Sequence, residues 1–203
     1  MTICIYHGGC PDGFTAAWAV HKRFPDWTFH PGIYGEAPPD VAGEDVVLVD
    51  FSYKRPVIEE MAAHARSILV LDHHKSAAED LEPFGNQQPT NWEAWLTMIR
   101  PGCISAIFDT EQSGAMLAWE FFHPHLARPR LVQYVQDRDL WRFRLPHSRE
   151  INAYILAHRY DWRTWDELHY ELQYASLRDI ADRGEAIETK HHKDVAELVD
   201  ELA

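Results

Sequence analysis

Aspartate and histidine side chains follow directly after several short apolar runs in the first half of the sequence. Carboxylates and imidazoles are ligands for divalent cations such as Mn²⁺, and two cations held by such groups can activate water to hydrolyse a phosphate ester. One aspartate after a strand is commonly a turn or capping residue, but several strand ends with Asp or His are harder to explain as caps. These positions are His7, Asp50, Asp72, His73, His74 and Asp109.

The apolar runs alternate with helical patterns. Continuous runs of about four residues are typical of parallel strands buried on both faces, so we expect an α/β fold with a mostly parallel sheet flanked by helices. Ligands of such open sheets bind beyond the carboxyl ends of the strands, where the acidic and histidine residues would converge. The predicted strands are 3–6, 46–49, 68–71 and 104–108, with a further candidate at 27–29, and the predicted helices are 14–24, 56–65, 113–122 and about 131–135.

The last quarter of the chain is predicted to be helical from Ile151 onward, whereas residues 83–102 form a looser excursion from the core. Apolar residues recur every three or four positions near the end, which predicts one long terminal helix and suggests a homo-oligomer formed through its apolar face. We predict a catalytic α/β domain over 1–150 and a helical extension, or a linker to a missing second domain, over 151–203. The apolar stripe comprises Leu177, Ile180, Gly184, Ile187, His191, Val195, Leu198 and Leu202.

The composition limits the classes of function. The 203 residues include 19 Lys and Arg against 32 Asp and Glu, a formal net charge of −13, which argues against a broad contact with a nucleic-acid backbone. The chain has no apolar run of about 18 residues, so we expect no membrane span and no membrane partner. Its 3 cysteines share no CxxC spacing, which indicates a reducing, cytoplasmic location.

The tripeptide His-His-Lys occurs twice in different contexts. Residues 73–75 directly follow a buried strand, where a histidine can be a metal ligand and the preceding Asp72 can fix its tautomer. Residues 191–193 lie in a polar helical stretch, where a solvated surface pair is expected. We therefore expect only the first pair to belong to a site.

The remaining candidates have structural alternatives. The loop 7–13 carries glycines that either let a phosphate approach the backbone or simply make a tight turn, and it matches neither a Walker A loop nor a GxGxxG motif. No sequence feature supplies a base for Cys10 as a nucleophile. Ser113 and Gly114 open a helix, either as a cap or as a phosphate contact. Residues 137–139 (Asp-Arg-Asp) are either a salt-bridged helix end or part of the site.

In this order along the chain, the motifs resemble the four motifs of the DHH phosphoesterase superfamily. That group includes RecJ-type exonucleases, nano-RNases, cyclic-dinucleotide phosphodiesterases, family II pyrophosphatases and exopolyphosphatases. The resemblance covers about residues 2–145. The motifs that carry it are His7…Asp12-Gly13, Leu48-Val49-Asp50, Asp72-His73-His74 and Asp137.

The resemblance implies a site for two divalent cations, usually Mn²⁺. His7 and Asp12 would bind one cation, His73 and Asp137 would bind the other, and Asp50 would bridge them, with Asp139 as a rival to Asp137. His74 would contact the scissile phosphate, and Asp72 would support the histidine pair. The weaker candidates for phosphate contacts are Lys75, Ser113, Gly114 and Arg138.

Two features depart from the superfamily pattern. Many members carry a second Asp two residues after the one that matches Asp12, and here that position is Phe14. Many members also have a second domain with a Gly-rich substrate motif, and no such segment is visible in the sequence. Because Phe14 carries no donor, one metal would lose a ligand or recruit a replacement such as water.

The expected function is hydrolysis of phosphodiester bonds in short oligonucleotides or (cyclic) dinucleotides by metal-activated water. The aromatic residues Tyr34, Tyr53, Trp92, Trp95 and Trp141 are candidates for base stacking. The acidic balance favours a small phosphorylated substrate over long duplex nucleic acid. The alternatives are a pyrophosphatase or exopolyphosphatase, a non-catalytic binding module with the same fold, and a structural metal protein.

Overall fold

The structure is a computed structural model that describes residues 1–85 and 88–202, without the side chains of Glu201 and Leu202. The chain divides into two compact units, Met1–Arg128 and Pro129–Ala203. A division by spatial contacts is not a division by function, so the catalytic domain over 1–150 stays a prediction. The first unit contains β1 (Thr2–His7), α1 (Pro11–Arg23), β2 (Thr28–Gly32), β3 (Asp45–Val49), α2 (Arg55–His64), β4 (Ser67–Asp72), α3 (Lys75–Asp80), α4 (Trp92–Met98), β5 (Cys103–Phe108) and α5 (Gly114–Phe122).

The five strands form one parallel sheet in the order β2-β1-β3-β4-β5. In the central register Ile3 lies opposite Val46, which lies opposite Ile68. β3 and β4 are buried along their whole length, because their apolar side chains point to two covered faces. This confirms the predicted α/β class with a parallel sheet flanked by helices.

Helices α1, α2 and α5 cover the sheet. Ile58 and Met61 of α2 belong to a buried cluster that also contains strand residues such as Ile3 and Val46. α1 and α5 pack against each other, with Trp18 stacked on Trp119 at a ring-centroid distance of 5.8 Å. These helices therefore pack on the centre of the sheet, where β1, β3 and β4 carry the predicted site residues.

Helix α4 corrects the expectation that residues 83–102 are a loose excursion. Asn91 caps this helix by accepting a hydrogen bond from the backbone N–H of Ala94 at 2.9 Å, and Trp95 is buried. A capping Asn followed by a buried tryptophan one turn later stabilises a helix of only 7 residues. Residues 86 and 87 of the same segment lie outside the described part.

The second unit consists of α6 (Arg130–Asp139), α7 (Ser148–Leu156), α8 (Trp162–Tyr174) and α9 (Leu177–Leu202). The predicted helical C-terminal extension is confirmed, although it is interrupted between α7 and α8, where Asp161 caps α8 through the N–H of Thr164. Within the described ranges, no helix is both long enough and apolar enough to cross a membrane.

The apolar stripe of α9 has two environments. Its first half packs on α7, since Ile180 is buried and a Cβ at Gly184 would lie 1.8 Å from the carbonyl oxygen of Glu150. Val195 and Leu198 in its second half are exposed. The side chain of Leu202 lies outside the described residues. The first half of the stripe is thus explained within the chain, and a homo-oligomer through the second half stays a prediction.

Candidate functional site

The site lies where the winding of the sheet reverses. The chain passes from β1 to β2 on one side and from β3 to β4 and β5 on the other, so the reversal falls between β1 and β3. Ligands of such sheets bind at this point, beyond the carboxyl ends of the strands. His7 ends β1, Asp50 directly follows β3, and Asp72 ends the adjacent β4.

Asp50 is the central carboxylate of this edge. Its side chain is 1% exposed, with Nε2 of His73 at 3.1 Å from one oxygen and Nδ1 of His7 at 3.5 Å from the other. Among the described residues neither oxygen has a hydrogen bond of ordinary geometry. Burial raises the pKa of the Asp50 carboxyl, but the two imidazoles lower it by more, so that its pKa lies below the ordinary value. Asp50 is therefore a buried anion held between two imidazoles.

The backbone at Asp50 supports a functional role. Its φ is 54°, in the left-handed region that residues with a Cβ adopt at a cost of about 1–3 kcal/mol. Such a strained backbone conformation persists only where the surrounding structure holds it in place. Here it turns the chain sharply after β3 and leaves the carboxylate at the strand end.

Asp12 is fully buried in the first turn of α1 and contacts the start of α5. The backbone N–H groups of Gly114 and Ala115 donate to its two oxygens at 2.7 and 3.2 Å. A Cβ at Gly114 would lie 2.3 Å from Cβ of Asp50, so only glycine allows α5 to approach this closely. Nε2 of His73 is 3.9 Å from Asp12, which brings Asp12 to the same edge as Asp50.

Asp72 organises the histidine pair. One of its oxygens accepts hydrogen bonds from the backbone N–H of His73 at 2.7 Å and of His74 at 3.3 Å, and Nδ1 of His74 lies 2.6 Å away. The hydrogen bond that Asp72 accepts from the His74 imidazole raises the pKa of His74, although burial lowers it, and the net shift is upward. His74 is thus more readily protonated than an ordinary histidine, and the supporting role of Asp72 in a metal site stays a prediction.

Two groups of side chains in the first unit are close enough to hold a metal ion. Their ligand atoms lie within 4.8 Å of one another, although acidic groups also gather without a metal. The second group includes Cys10, which sequence reasoning considered only as a nucleophile. The signal that it missed was the position of a thiol three residues after His7, in the loop that begins α1. The groups are Asp50 with Asp72, His73 and His74, and His7 with Cys10 and Asp50.

The predicted phosphate contacts in the first unit have varied environments. Lys75 is exposed and lies 3.9 Å from Glu79. Ser113 is fully buried, and its Oγ accepts a hydrogen bond from the N–H of Met116 at 3.4 Å, which is the capping alternative. Gly114 gives its N–H to Asp12. Asp109, after β5, accepts a hydrogen bond from the N–H of Glu111 at 2.8 Å and forms a turn.

The second unit holds the last predicted ligand. Both oxygens of Asp137 accept hydrogen bonds, from the N–H groups of Arg144 and Leu145 at 3.0 Å each. Asp137 therefore stabilises the loop after α6, a structural role that the sequence did not indicate. Asp139 is the last residue of α6, and Arg138 lines a pocket of about 450 Å³ with residues such as Trp141.

A pocket of about 470 Å³ in the first unit lies beside the strand-end site and is lined by residues including Tyr34, Tyr53, Lys54 and Ser76. The ring of Tyr34 packs edge-on against the imidazole of His7, with the ring centroids 5.2 Å apart. Tyr34 is 56% exposed, so much of its side chain is open to a ligand. Burial, followed by the charges of Asp72, Asp50 and Cys10, raises the pKa of Tyr34 to about 12. The tyrosine therefore stays neutral and presents an aromatic surface beside the buried anions.

Comparisons with known proteins identify a similar fold and assign no function to the chain. No protein-family model matches the chain. It is 26% identical over 189 residues to an uncharacterised protein of Acanthamoeba polyphaga mimivirus, covering 82% of this chain and 39% of that protein. The chain thus spans less than half the length of this relative. A crystal structure of an uncharacterised protein from Helicobacter pylori has a TM-score of 0.52 at 14% identity, covering 91% of this chain and 68% of that one, so the two share a fold.

Proposed function

We propose that the chain is a metal-dependent hydrolase of phosphodiester bonds in short oligonucleotides or (cyclic) dinucleotides. The observation that carries this proposal is Asp50, a buried anion between His7 and His73 at the reversal of a parallel sheet. A carboxylate with both oxygens buried and no hydrogen bond of ordinary geometry among the described residues is expensive unless a cation compensates it.

The side chains fit a pair of divalent cations. Oxygen and imidazole nitrogen donors suit first-row dications, and Asp50 can offer one oxygen to each of two ions. The first unit would hold them with His7, Asp12, Asp50 and His73. Asp137, or its rival Asp139, as a further ligand stays a prediction. Bound cations would lower the pKa of a shared water and neutralise charge on the phosphate.

The residues around the proposed cations would position the substrate. His74, protonated more readily because of Asp72, would donate a hydrogen bond to a phosphate oxygen and offset its charge. Asp72 would keep that imidazole in place through the 2.6 Å contact at Nδ1. The backbone N–H groups that bind Asp12 would hold its carboxylate in one orientation.

The surroundings favour a small substrate that carries a base. The pocket beside the site offers Tyr34 for stacking and Lys54 for a phosphate. The net charge of −13 leaves little general attraction for long nucleic acid, so affinity would depend on bound cations. We expect the protein to work in a reducing, cytoplasmic compartment, because Cys4, Cys10 and Cys103 are all thiols.

The test is a substrate panel with separate additions of Mn²⁺, Co²⁺ and Zn²⁺. Linear and cyclic dinucleotides, pyrophosphate and polyphosphate are incubated with the full chain, and products are separated by anion-exchange chromatography. We expect mononucleotides from a dinucleotide. This activity should be lost in Asp50→Asn and kept in Asp40→Asn, because Asp40 is exposed and accepts a hydrogen bond from the N–H of Ala42 in its own loop.

The outcomes separate the alternatives. Cleavage of polyphosphate without cleavage of dinucleotides would replace the proposal with a phosphoanhydride hydrolase. Binding of cation and dinucleotide without turnover by any of the three metals would indicate a binding module. The absence of any cation binding would contradict the site itself.

A further inference from the structure

We propose that Cys10 is a metal ligand and that, with His7 and Asp50, it makes one half of the site selective for a thiophilic dication such as Zn²⁺ or Co²⁺ over Mn²⁺. This inference rests on the proposed metal-dependent function and specifies the metal. It also supplies a donor to a site in which this chain has Phe14 where many members of the resembled superfamily have an aspartate.

The geometry places the thiol with two other donors. Ligand atoms of His7, Cys10 and Asp50 lie within 4.8 Å of one another, on the loop after β1 and on the turn after β3. Cys10 is the N-cap residue of α1, but its side chain makes no capping hydrogen bond to that helix. The position is half-buried, so the thiol is shielded but reachable from solvent.

The independent observation is Asp50. Its carboxylate is 1% exposed, belongs to the same group of ligand atoms as Cys10 and has no hydrogen bond of ordinary geometry among the described residues. A cation at this position would compensate the buried carboxylate of Asp50 and would have the sulfur of Cys10 within reach as a further ligand.

Phe14 cannot supply the missing donor, and its environment shows why. It is 4% exposed and packs edge-on against Tyr6 at 5.8 Å, within the apolar core. A carboxylate there would be buried among apolar groups. Cys10, two residues before Asp12, is the side chain of this loop that lies with His7 and Asp50.

The donor set determines the metal. Thiolate ligands favour Zn²⁺ and Co²⁺, whereas Mn²⁺ prefers oxygen donors. One imidazole, one thiolate and one carboxylate are three protein ligands, and catalytic zinc sites combine three such ligands with an open position for water. As a ligand, Cys10 would bind as the thiolate, and its thiol proton would pass to solvent.

The other two cysteines provide matched controls. Cys4 is fully buried in β1, and burial raises the pKa of its thiol well above the ordinary value. Cys103 is the first residue of β5 and so lies at the amino-terminal edge of the sheet, opposite to the proposed site. Neither is placed to share a cation with Asp50.

The experiment is a Co²⁺ titration of the metal-free full chain, followed by absorption spectroscopy. We expect a thiolate-to-cobalt charge-transfer band in the near ultraviolet in the wild type and in Cys103→Ser, and its loss in Cys10→Ser. Cys10→Asp is expected to bind cation without this band and to shift preference from Zn²⁺ toward Mn²⁺ in competition titrations. Circular dichroism of each apo variant confirms that it is folded.

Each result decides a different point. Co²⁺ binding with no thiolate band in the wild type, or a band that persists in Cys10→Ser, would overturn the role of Cys10 and leave the rest of the metal site intact. A wild type that binds no Co²⁺ would overturn both this inference and the proposed function. A band that depends on Cys10 in a protein with no hydrolytic activity would support the thiolate ligand and reject the hydrolase.

Discussion

The sequence His-His-Lys at 73–75 and again at 191–193 gives one tripeptide in two environments. At the first position His73 is 12% exposed and lies 3.1 Å from the buried carboxylate of Asp50. At the second, His192 is 73% exposed, and its Nε2 lies 3.9 Å from Glu188 one helical turn away. The second pair also borders the open pocket of the second unit.

The difference shows that the surroundings of a histidine pair decide its chemistry. The first pair follows a strand whose neighbours also end in acidic or histidine residues, so the buried carboxylates of Asp50 and Asp72, from two adjacent strands, lie beside it. The second pair lies on a helix whose charged side chains are largely exposed, and ion pairs between exposed groups contribute little. The dipeptide alone carries no functional information, whereas its position after a buried strand does.

The largest expected effect is that of replacing the first pair. His73→Ala removes an imidazole 3.1 Å from Asp50 and leaves that buried anion with less compensation. Because loss of an outer-shell partner alone costs about 10–100-fold in affinity or activity, we expect at least ~100-fold weaker metal binding and hydrolysis. Isothermal titration calorimetry with Co²⁺ and the dinucleotide assay measure the two quantities.

His192→Ala is the matched control, since it removes the same side chain from an exposed helix. Metal affinity and turnover are expected to equal those of the wild type. An equal loss of metal binding in both variants would show that the two pairs do not differ as the structure indicates.

Most of the fold could be predicted because the strands are buried on both faces. Runs such as Val46–Val49 and Ile68–Leu71 have no polar alternation, which distinguishes strands between helices from amphipathic elements. The short helices α3 and α4 could not be predicted with the same ease, because helices of 6 and 7 residues depend on tertiary packing more than on sequence periodicity.

Gly114 in the first unit and Gly184 in the second allow the packing of the backbone in the two units to be compared. A Cβ at Gly114 would lie 2.3 Å from Cβ of Asp50, and a Cβ at Gly184, on the helix of the second pair, would lie 1.8 Å from the carbonyl oxygen of Glu150. We expect Gly114→Ala and Gly184→Ala each to lower the free energy of unfolding by about 1–3 kcal/mol, as overpacking does. Chemical denaturation measures both.

Only Gly114→Ala is expected to weaken Co²⁺ binding as well, because it displaces Asp50 and the N–H that binds Asp12. Metal affinity unchanged in Gly114→Ala, despite a loss of stability, would mean that the carboxylates tolerate a shift of α5. That result would weaken the argument that the close approach exists for the site.

The candidate site was predicted in part. Spacing placed His7, Asp50 and Asp72 at strand ends, and strand order brings such ends together. It could not show that Cys10 approaches Asp50, because that contact joins residues 40 positions apart through the order of β1 and β3. Nor could it show that Asp137 binds the backbone of its own loop, since hydrogen bonds to backbone N–H groups leave no pattern of side-chain types.

Asp137 tests the structural role of a carboxylate in the second unit. Burial raises its pKa, but hydrogen bonds from the Ser148 hydroxyl and the N–H groups of Arg144 and Leu145 lower it by more. A lowered pKa in the folded state contributes stability above the unfolded pKa of about 3.9, and that stability is lost as pH falls. We therefore expect Asp137→Asn to cost about 1–3 kcal/mol near neutral pH and less at pH values well below 4.

Urea denaturation of both proteins across this pH range measures the difference. A stability deficit of Asp137→Asn that stays constant with pH would contradict a charged carboxylate in the loop. Unaltered stability together with a large loss of metal affinity would instead favour Asp137 as the ligand that the sequence predicted.

The smallest expected effect is that of replacing Lys75 or Lys193, the third residues of the two tripeptides. Lys75 is 86% exposed at 3.9 Å from Glu79, and Lys193 is 69% exposed at 3.6 Å from Glu197, so each has an acidic neighbour one helical turn away. Exposed pairs of this kind contribute at most about 0.5 kcal/mol, and replacing either lysine with alanine is expected to leave stability nearly unchanged.

Because Lys75 directly follows the histidine pair at the strand end, only Lys75→Ala is expected to raise the KM for a dinucleotide, modestly and with kcat unaltered. An equal KM for the two variants would remove Lys75 from the substrate contacts and limit the functional difference between the tripeptides to their histidines.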